Sequence, residues 1–350
     1  MDGEMTRREF LNATAAAGTI LVAGNLWPRV ATAQGLVKIP EAESITITVI
    51  TDNFSDVNQL EKKITRRLKK LPGPLDAAAH AEHGLAYQIE TIVDGKSSCC
   101  LFDFGTDPHG VMKNMKLLKM DLSKVEALGL SHDHWDHEGA FVEIMKAKKN
   151  EFRKEIPLYV GEQFFVGTYQ RLPSGEVISL VAINKEDVSG LGFVKITEIK
   201  GPTPFVPGAY FTGKVEQVTD YEKIPPSFIA KRGSEYVQET FPGEQAVILN
   251  AKGKGLVVLS ACAHRGIVNT VKHAQKMTGI EKVHLVIGGF HLTGAKPELI
   301  QKTIAGIKAI NPQYIVPTHC TGFDAIDAFS KAMPDQFILN TAGTKYVITA

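Results

Sequence analysis

The segment Ile45-Thr46-Ile47-Thr48-Val49-Ile50 alternates β-branched side chains residue by residue, the period-two pattern of a strand. It ends at the polar Thr51-Asp52-Asn53. Residues 53–79 are polar and lysine-rich around Leu71-Pro72-Gly73-Pro74, which predicts a long loop with a helical piece. Strands are predicted over 86–92 and 98–102, joined at Asp94-Gly95, a dipeptide suited to the positive φ of a two-residue hairpin turn. Helical periodicity marks 110–119 and 140–149, and the apolar Ala127-Leu128-Gly129-Leu130 between them reads as a strand. From 150 to 245 the periodicity is weak and Pro and Gly recur; one strand near 158–160 is predicted, and the rest reads as loops over one face. Strands over 246–249 and 256–259 follow, then helix 266–276, strand 283–287, helix 297–310 and strand 314–316. A strand meander followed by alternating helix and strand predicts an α/β layered sandwich. In such sheets ligands gather at strand ends.

Composition sharpens this picture in two ways. A chain of 350 residues, 44% hydrophobic and with mean hydropathy −0.04, buries a large core unaided, so a bound metal serves chemistry rather than folding. The net charge of +1 and the absence of a long basic run give no track for nucleic acid, and no nucleic-acid partner is expected. Four cysteines, Cys99, Cys100, Cys262 and Cys320, are too few for a disulfide scaffold. Cys99 and Cys100 share a strand and point to opposite faces. For Cys262 and Cys320 a disulfide, a metal contact and packing are all open, with packing favoured.

The chemistry concentrates in His132-Asp133-His134-Trp135-Asp136-His137, directly after a strand. His132 and His134, two apart in extended chain, face one side, and Asp136 and His137 follow where the chain turns. Neutral imidazole and carboxylate suit Zn²⁺, Fe²⁺ or Mn²⁺. No thiol is needed, so such a site tolerates an oxidising compartment. So many imidazoles buried without partners would otherwise be costly. His264 and His319 each follow a predicted strand, and each completes a ligand count that the first motif leaves short. His291 also follows a strand and is a candidate ligand, proton donor or orienting group. Glu82 is placed as a carboxylate that orients a site imidazole. His80, His109, His273 and His284 lack strand-end placement.

The pattern H-x-H-x-D-H after a strand resembles the signature of the metallo-β-lactamase superfamily. Glu82-His83-Gly84-Leu85, Cys262-Ala263-His264-Arg265-Gly266, Gly288-Gly289-Phe290-His291-Leu292 and Pro317-Thr318-His319-Cys320-Thr321-Gly322 resemble one branch of it. That branch is named for 7,8-dihydropterin-6-methyl-4-(β-D-ribofuranosyl)-aminobenzene-5′-phosphate synthase. The resemblance spans about residues 45–345. It implies a four-layer αβ/βα sandwich with one or two divalent metals, zinc first and iron or manganese next. His132 and His134 would hold one metal, Asp136 and His137 a second, with His264 and His319 completing the set. Asp103, in Leu101-Phe102-Asp103-Phe104-Gly105, would steady the site, and His291 and Asp136 would carry catalysis. One departure stands out: no His lies between His137 and His264, and the later strand ends in Ala261-Cys262-Ala263-His264 rather than Gly-Asp. The bridging carboxylate of the superfamily is therefore missing. The reaction expected is hydrolysis of an ester, phosphoester or similar bond of a small molecule, with two alternatives. One is the condensation named for the branch; the other is a metal-binding module with a degenerate site. Aromatics of the middle section, among them Phe164, Phe165, Tyr169, Tyr210, Phe211, Tyr221 and Phe228, would shape the pocket.

The N-terminus reads as an address. Arg7-Arg8 with Phe10-Leu11, an apolar stretch to Leu26 and Ala31-Thr32-Ala33 look like a twin-arginine export signal. The apolar stretch falls short of the ~20 residues that span a bilayer. Residues 1–33 are thus expected to be a signal handled by the twin-arginine machinery, 34–44 a linker and 45–350 one domain with a loop-rich insertion at about 150–245. The expected location is periplasmic or extracellular.

Overall fold

The computed structural model describes residues 36–68 and 78–350. The proposed signal and most of the Pro-rich stretch near residue 72 lie outside the described residues. Val37–Ala350 forms one compact unit, and among the described residues no helix is long and apolar enough to cross a membrane.

Two sheets face each other. One runs, edge to edge, Val194–Ile199, Ile156–Gly161, Val125–Gly129, Lys96–Phe104, Ala86–Val93, Ser44–Thr51, Lys345–Thr349 and Thr65–Arg66. The other runs Thr203–Val206, Ala209–Phe211, Val247–Ala251, Gly255–Leu259, Val283–Gly289 and Tyr314–Thr318, with Glu41–Ala42 paired onto Val247–Ala251. Strand alternation sorts side chains between three cores. Ile45, Ile47, Tyr87, Ile89 and Phe102 pack between the sheets against Leu249, Val257, Leu285 and Val316. Leu101 and Phe104, on the outer face of the first sheet, meet Val111, Phe141 and Ile144 from helices Pro108–Leu117 and Phe141–Ala147. Ile248, Val258 and Val286, on the outer face of the second, meet helices Ile267–Thr278, Pro297–Ile310 and Phe323–Ala332 through Ile267, Val271, Ile304 and Phe329. The result is the four-layer αβ/βα sandwich. Cys100 sits in the core between the sheets and Cys99 in the outer one, as alternation requires.

The middle section departs from expectation. It is built of short strands rather than loops. Ile156–Gly161 and Val194–Ile199 pair in parallel at the edge of the first sheet. Thr203–Val206 and Ala209–Phe211 extend the second. Glu235–Gln238, Phe228–Arg232, Thr168–Arg171 and Val177–Ser179 make a separate four-stranded sheet. Strands this short carry little periodicity of their own, and distant partners decide them. For the same reason Lys345–Thr349 escapes sequence reading: its partner, Ser44–Thr51, lies at the other end of the unit.

Candidate metal centre

The motif begins where strand Val125–Gly129 leaves the sheet. The Ser131 backbone N–H donates to Asp103 Oδ1 and its hydroxyl to Asp103 Oδ2, both at 2.8 Å. Asp103 Oδ2 also accepts from His137 Nδ1 at 2.8 Å. One buried carboxylate from the preceding strand thus ties both ends of the motif and orients His137 so that its Nε2 faces Cys262. Ser131 Oγ lies 2.9 Å from His132 Nδ1 and fixes that ring as well.

His264 enters from the turn after Gly255–Leu259. Its backbone N–H and its Nδ1 both lie 2.7 Å from Glu244 Oε1, and Glu244 Oε2 accepts the Arg265 N–H at 3.0 Å. Glu244 is fully enclosed, and burial pushes its carboxyl up to about 7 despite these bonds. His319 arrives from the end of Tyr314–Thr318, its Nδ1 3.2 Å from Asn53 Oδ1. Four non-glycine residues at these strand ends hold left-handed backbone: Asp103 (φ 59°), Ala263 (φ 53°), His291 (φ 49°) and His319 (φ 52°). Such conformations cost of order ~1–3 kcal/mol each and persist where the surroundings over-determine them.

Two groups of ligand atoms result. In the first, His132, His134 and His264 each offer a nitrogen within 4.8 Å of the others. In the second, Asp136, His137, Cys262 and His319 do the same. All are buried. The Nε2 atoms of His132, His134 and His264 have no hydrogen-bond partner among the described residues. Leaving a buried polar atom unmet costs about 1–3 kcal/mol each, so this cage fits a cation. Burial, foremost, and the neighbouring imidazoles push His132 and His264 well below the usual histidine range, and burial takes His134 down to about 3. The rings stand neutral, which is the form that ligates metal.

The second group satisfies itself in part. His319 Nε2 lies 3.1 Å from Asp136 Oδ2, and the Cys262 thiol lies 3.1 Å from His137 Nε2. Burial disfavours a charged His319, yet Asp136 outweighs it and lifts the ring to about 9. His83 stacks on His319 at 5.0 Å between centroids, with its Nε2 3.4 Å from Asp136 Oδ2.

The six predicted ligands, His132, His134, Asp136, His137, His264 and His319, are brought together, and Asp103 supports them. Cys262, for which the sequence favours packing over a metal contact, stands within reach of the ligand atoms of Asp136, His137 and His319. It is a free, buried thiol among the candidate ligands, at the strand end where the superfamily's carboxylate is missing. Cys320 is also free and buried; its thiol meets the Cys262 carbonyl at 3.6 Å, so no disulfide joins the two. Glu82 orients no site imidazole. Its oxygens accept the backbone N–H groups of Thr106 and Asp107, and it meets His80 at 3.1 Å, so it braces the loop after Asp103. His291 stands outside both groups, its ring 4.3 Å from that of His264, and burial lowers it to about 4. Glu244 and Asn53 carry no local signal of their roles, whereas His83 lies in the Glu82-His83-Gly84-Leu85 motif. Of the middle-section aromatics, Phe228 reaches the site, stacked 5.7 Å from His134. Phe211 lies between the sheets and Phe164 in an outer core. Phe241, not anticipated, stacks on His264 at 4.1 Å.

No family model matches the chain. Over 262 residues, 73% of this chain and 87% of the relative, it is 33% identical to a Methanocaldococcus jannaschii protein named 7,8-dihydropterin-6-methyl-4-(β-D-ribofuranosyl)-aminobenzene-5′-phosphate synthase. An uncharacterized protein of the same organism is 25% identical over 260 residues, 72% of this chain and 88% of the relative. Among solved structures, a metal-dependent hydrolase of the β-lactamase superfamily superposes with a TM-score of 0.67 at 22% identity, covering 87% of this chain and all of that one (100%). That likeness speaks to the fold.

Proposed function

Because the chain belongs to the metallo-β-lactamase superfamily, in the branch of the M. jannaschii 7,8-dihydropterin-6-methyl-4-(β-D-ribofuranosyl)-aminobenzene-5′-phosphate synthase, we propose that it is a metal-dependent enzyme that joins a pterin-like heterocycle, through a methylene carbon bearing a leaving group, to a ribosylated aromatic phosphate, with release of the leaving group and of a proton from the aromatic partner. The observation that carries this reading is the 33% identity extending over 87% of that relative.

On this reading His132, His134 and His264 hold one divalent ion, and Asp136, His137, Cys262 and His319 a second. Imidazole, carboxylate and thiolate together favour zinc, with iron next. Such ions supply Lewis-acid charge to a phosphate or ester oxygen. The protein's share is positional. Asp103 and Glu244 fix the ring orientations of His137 and His264, and Phe228 and Phe241 exclude water from the first group. His291 faces the His264 side as a hydrogen-bonding group toward substrate.

Hydrolysis of a phosphoester or ester is the second reading. The Arg7-Arg8 leader favours it, because we propose that the leader takes the protein out of the cytoplasm, and pterin assembly is expected inside the cell. Cell fractionation with and without Arg7→Lys and Arg8→Lys tests the export proposal; cytoplasmic retention of the unaltered protein would refute it. The reaction is tested by incubating zinc-loaded protein with both precursors and, in parallel, with phosphoesters, lactones and β-lactams. Coupled product supports condensation. Hydrolysis without coupling replaces it with the second reading, and inertness across all of them leaves a binding module.

A further inference from the structure

Strands Gly255–Leu259, Val283–Gly289 and Tyr314–Thr318 run parallel, with Val283–Gly289 in the middle. The turn after the first carries Cys262, and the turn after the third carries Cys320. The outer two strands of such a trio stand roughly 10 Å apart, so side chains at their ends do not ordinarily meet. Here the middle strand ends in Gly288-Gly289, and both turns close over it. A Cβ on Gly288 would collide with the Ser260 carbonyl; one on Gly289 would collide with the Ala261 carbonyl and lie 2.6 Å from Cys320 Sγ. The Gly289 N–H donates to that Ala261 carbonyl at 2.8 Å. Cys320 Sγ thereby comes to 3.6 Å from the Cys262 carbonyl oxygen. It also lies against the Cys262 thiol, and that contact, after burial, raises the Cys262 thiol above its usual range.

Both thiols are free and buried. On its other side the Cys262 thiol meets His137 Nε2 at 3.1 Å, within the second ligand group. Cys262 thus has two alternative partners: a cation shared with Asp136, His137 and His319, or the sulfur of Cys320. A route leads to the pair. A cavity of about 310 Å³ borders His319, and the ligand atoms of His319 and Cys262 lie within 4.8 Å of each other. His83, over the same group, is half exposed. Hydrogen peroxide, little larger than a water molecule, fits such a route.

Resting on the place of Cys262 in the second ligand group, we propose that Cys262 and Cys320 form a redox-modification site, at which a hydroperoxide turns the two thiols into a disulfide and withdraws Cys262 from the cation. The Cys262 sulfur attacks one peroxide oxygen and the O–O bond breaks. Cys262 becomes a sulfenic acid, and its thiol proton leaves in the first water. The Cys320 sulfur then attacks the Cys262 sulfur and the S–O bond breaks, with the Cys320 proton leaving in the second water. Two thiols are oxidised and one peroxide is reduced to two waters. A neighbouring thiol captures the sulfenic acid before it advances to the irreversible sulfinic acid, and Gly288-Gly289 is what makes Cys320 that neighbour. A dithiol reverses the step by exchange.

Hydrogen peroxide applied to the full chain, zinc-free and zinc-loaded, tests this without turnover. Intact mass and non-reducing peptide mapping read the bond, and a chelating dye reads zinc. The zinc-free chain is expected to lose two hydrogens, yield a linked Cys262–Cys320 peptide and recover with dithiothreitol. The oxidised chain should take up less zinc than the reduced one until dithiothreitol is added. Zinc loading should slow the oxidation, because a ligated sulfur is not free to attack. Cys320→Ala should instead gain oxygen at Cys262 irreversibly, with no linked peptide, and Cys320→Ser, closer in size to the thiol, should do the same. Absence of the linked peptide from the unaltered zinc-free chain, or the same reversible oxidation in both variants, would overturn the redox site and leave the ligand role of Cys262 standing. A linked peptide with zinc uptake unchanged would remove Cys262 from the ligand group and sink the coupling to the metal.

Discussion

The two ligand groups sit side by side, yet they behave as opposites. His132, His134 and His264 cannot satisfy one another, because three neutral imidazoles converging on one point have acceptors and no donors to meet them. Asp136, His137, Cys262 and His319 contain both kinds of group and close into a hydrogen-bonded pair of pairs. The first group is therefore a cage held open by its surroundings, with Ser131 and Glu244 gripping the outer ring nitrogens of His132 and His264. The second is a site whose own members substitute for a cation, at the price of a charged His319. A rigid surround preorganises ligands for a metal, whereas the second group must first break contacts to bind one.

The largest effect is expected in the open cage. His134→Ala should abolish metal uptake there and turnover with it, measured as metal per chain by mass spectrometry beside product formation. Full activity in that variant would show that the cage is not the reacting centre. Next comes the self-satisfied group. Cys262→Ser should lose the thiolate-to-metal absorption of the cobalt-substituted protein and weaken one metal, while Cys262→Asp restores binding with a carboxylate and no such absorption. An unchanged cobalt spectrum in Cys262→Ser would return Cys262 to a packing role. The supporting shell follows. Glu244→Ala should reduce metal affinity by about 10–100-fold, the range for groups that orient a ligand histidine. Glu244→Gln, which still offers an acceptor to His264, should recover part of it.

The smallest effect lies away from the centre, where burial acts on a histidine without any ligand role. His284 is held down to about 4 by burial and by the neighbouring Lys254 and Lys282. The unfolded chain binds that proton near pH 6.5, so this residue contributes stability above that pH and loses it as the pH falls from about 6.5 toward 4. His284→Gln should flatten the fall of Tm between pH 7 and 5 without changing metal content. An equally steep fall would assign the acid sensitivity to other groups.

Local pattern alone placed the strands Ser44–Thr51, Ala86–Val93 and Lys96–Phe104, both long C-terminal helices and the strand ends that carry every histidine of the cluster. Period-two and period-3.6 burial are properties of short segments, and a dense His/Asp motif is visible without a fold. Pairing across distance was not visible. Cys262 meets His137 across 125 residues, and Asp136 meets His319 across 183. Nothing near Cys262 separates a ligand from a packed thiol until His137 stands beside it. Glu82 shows the converse: a carboxylate next to a histidine motif invites a catalytic role, yet the N–H groups of Thr106 and Asp107 claim it. The sequence by itself determined the longer elements, the layered α/β class and the chemical types available to a metal. Tertiary structure decided which of those side chains share one volume, because burial and hydrogen-bond partnership belong to chain segments that meet only in the folded state.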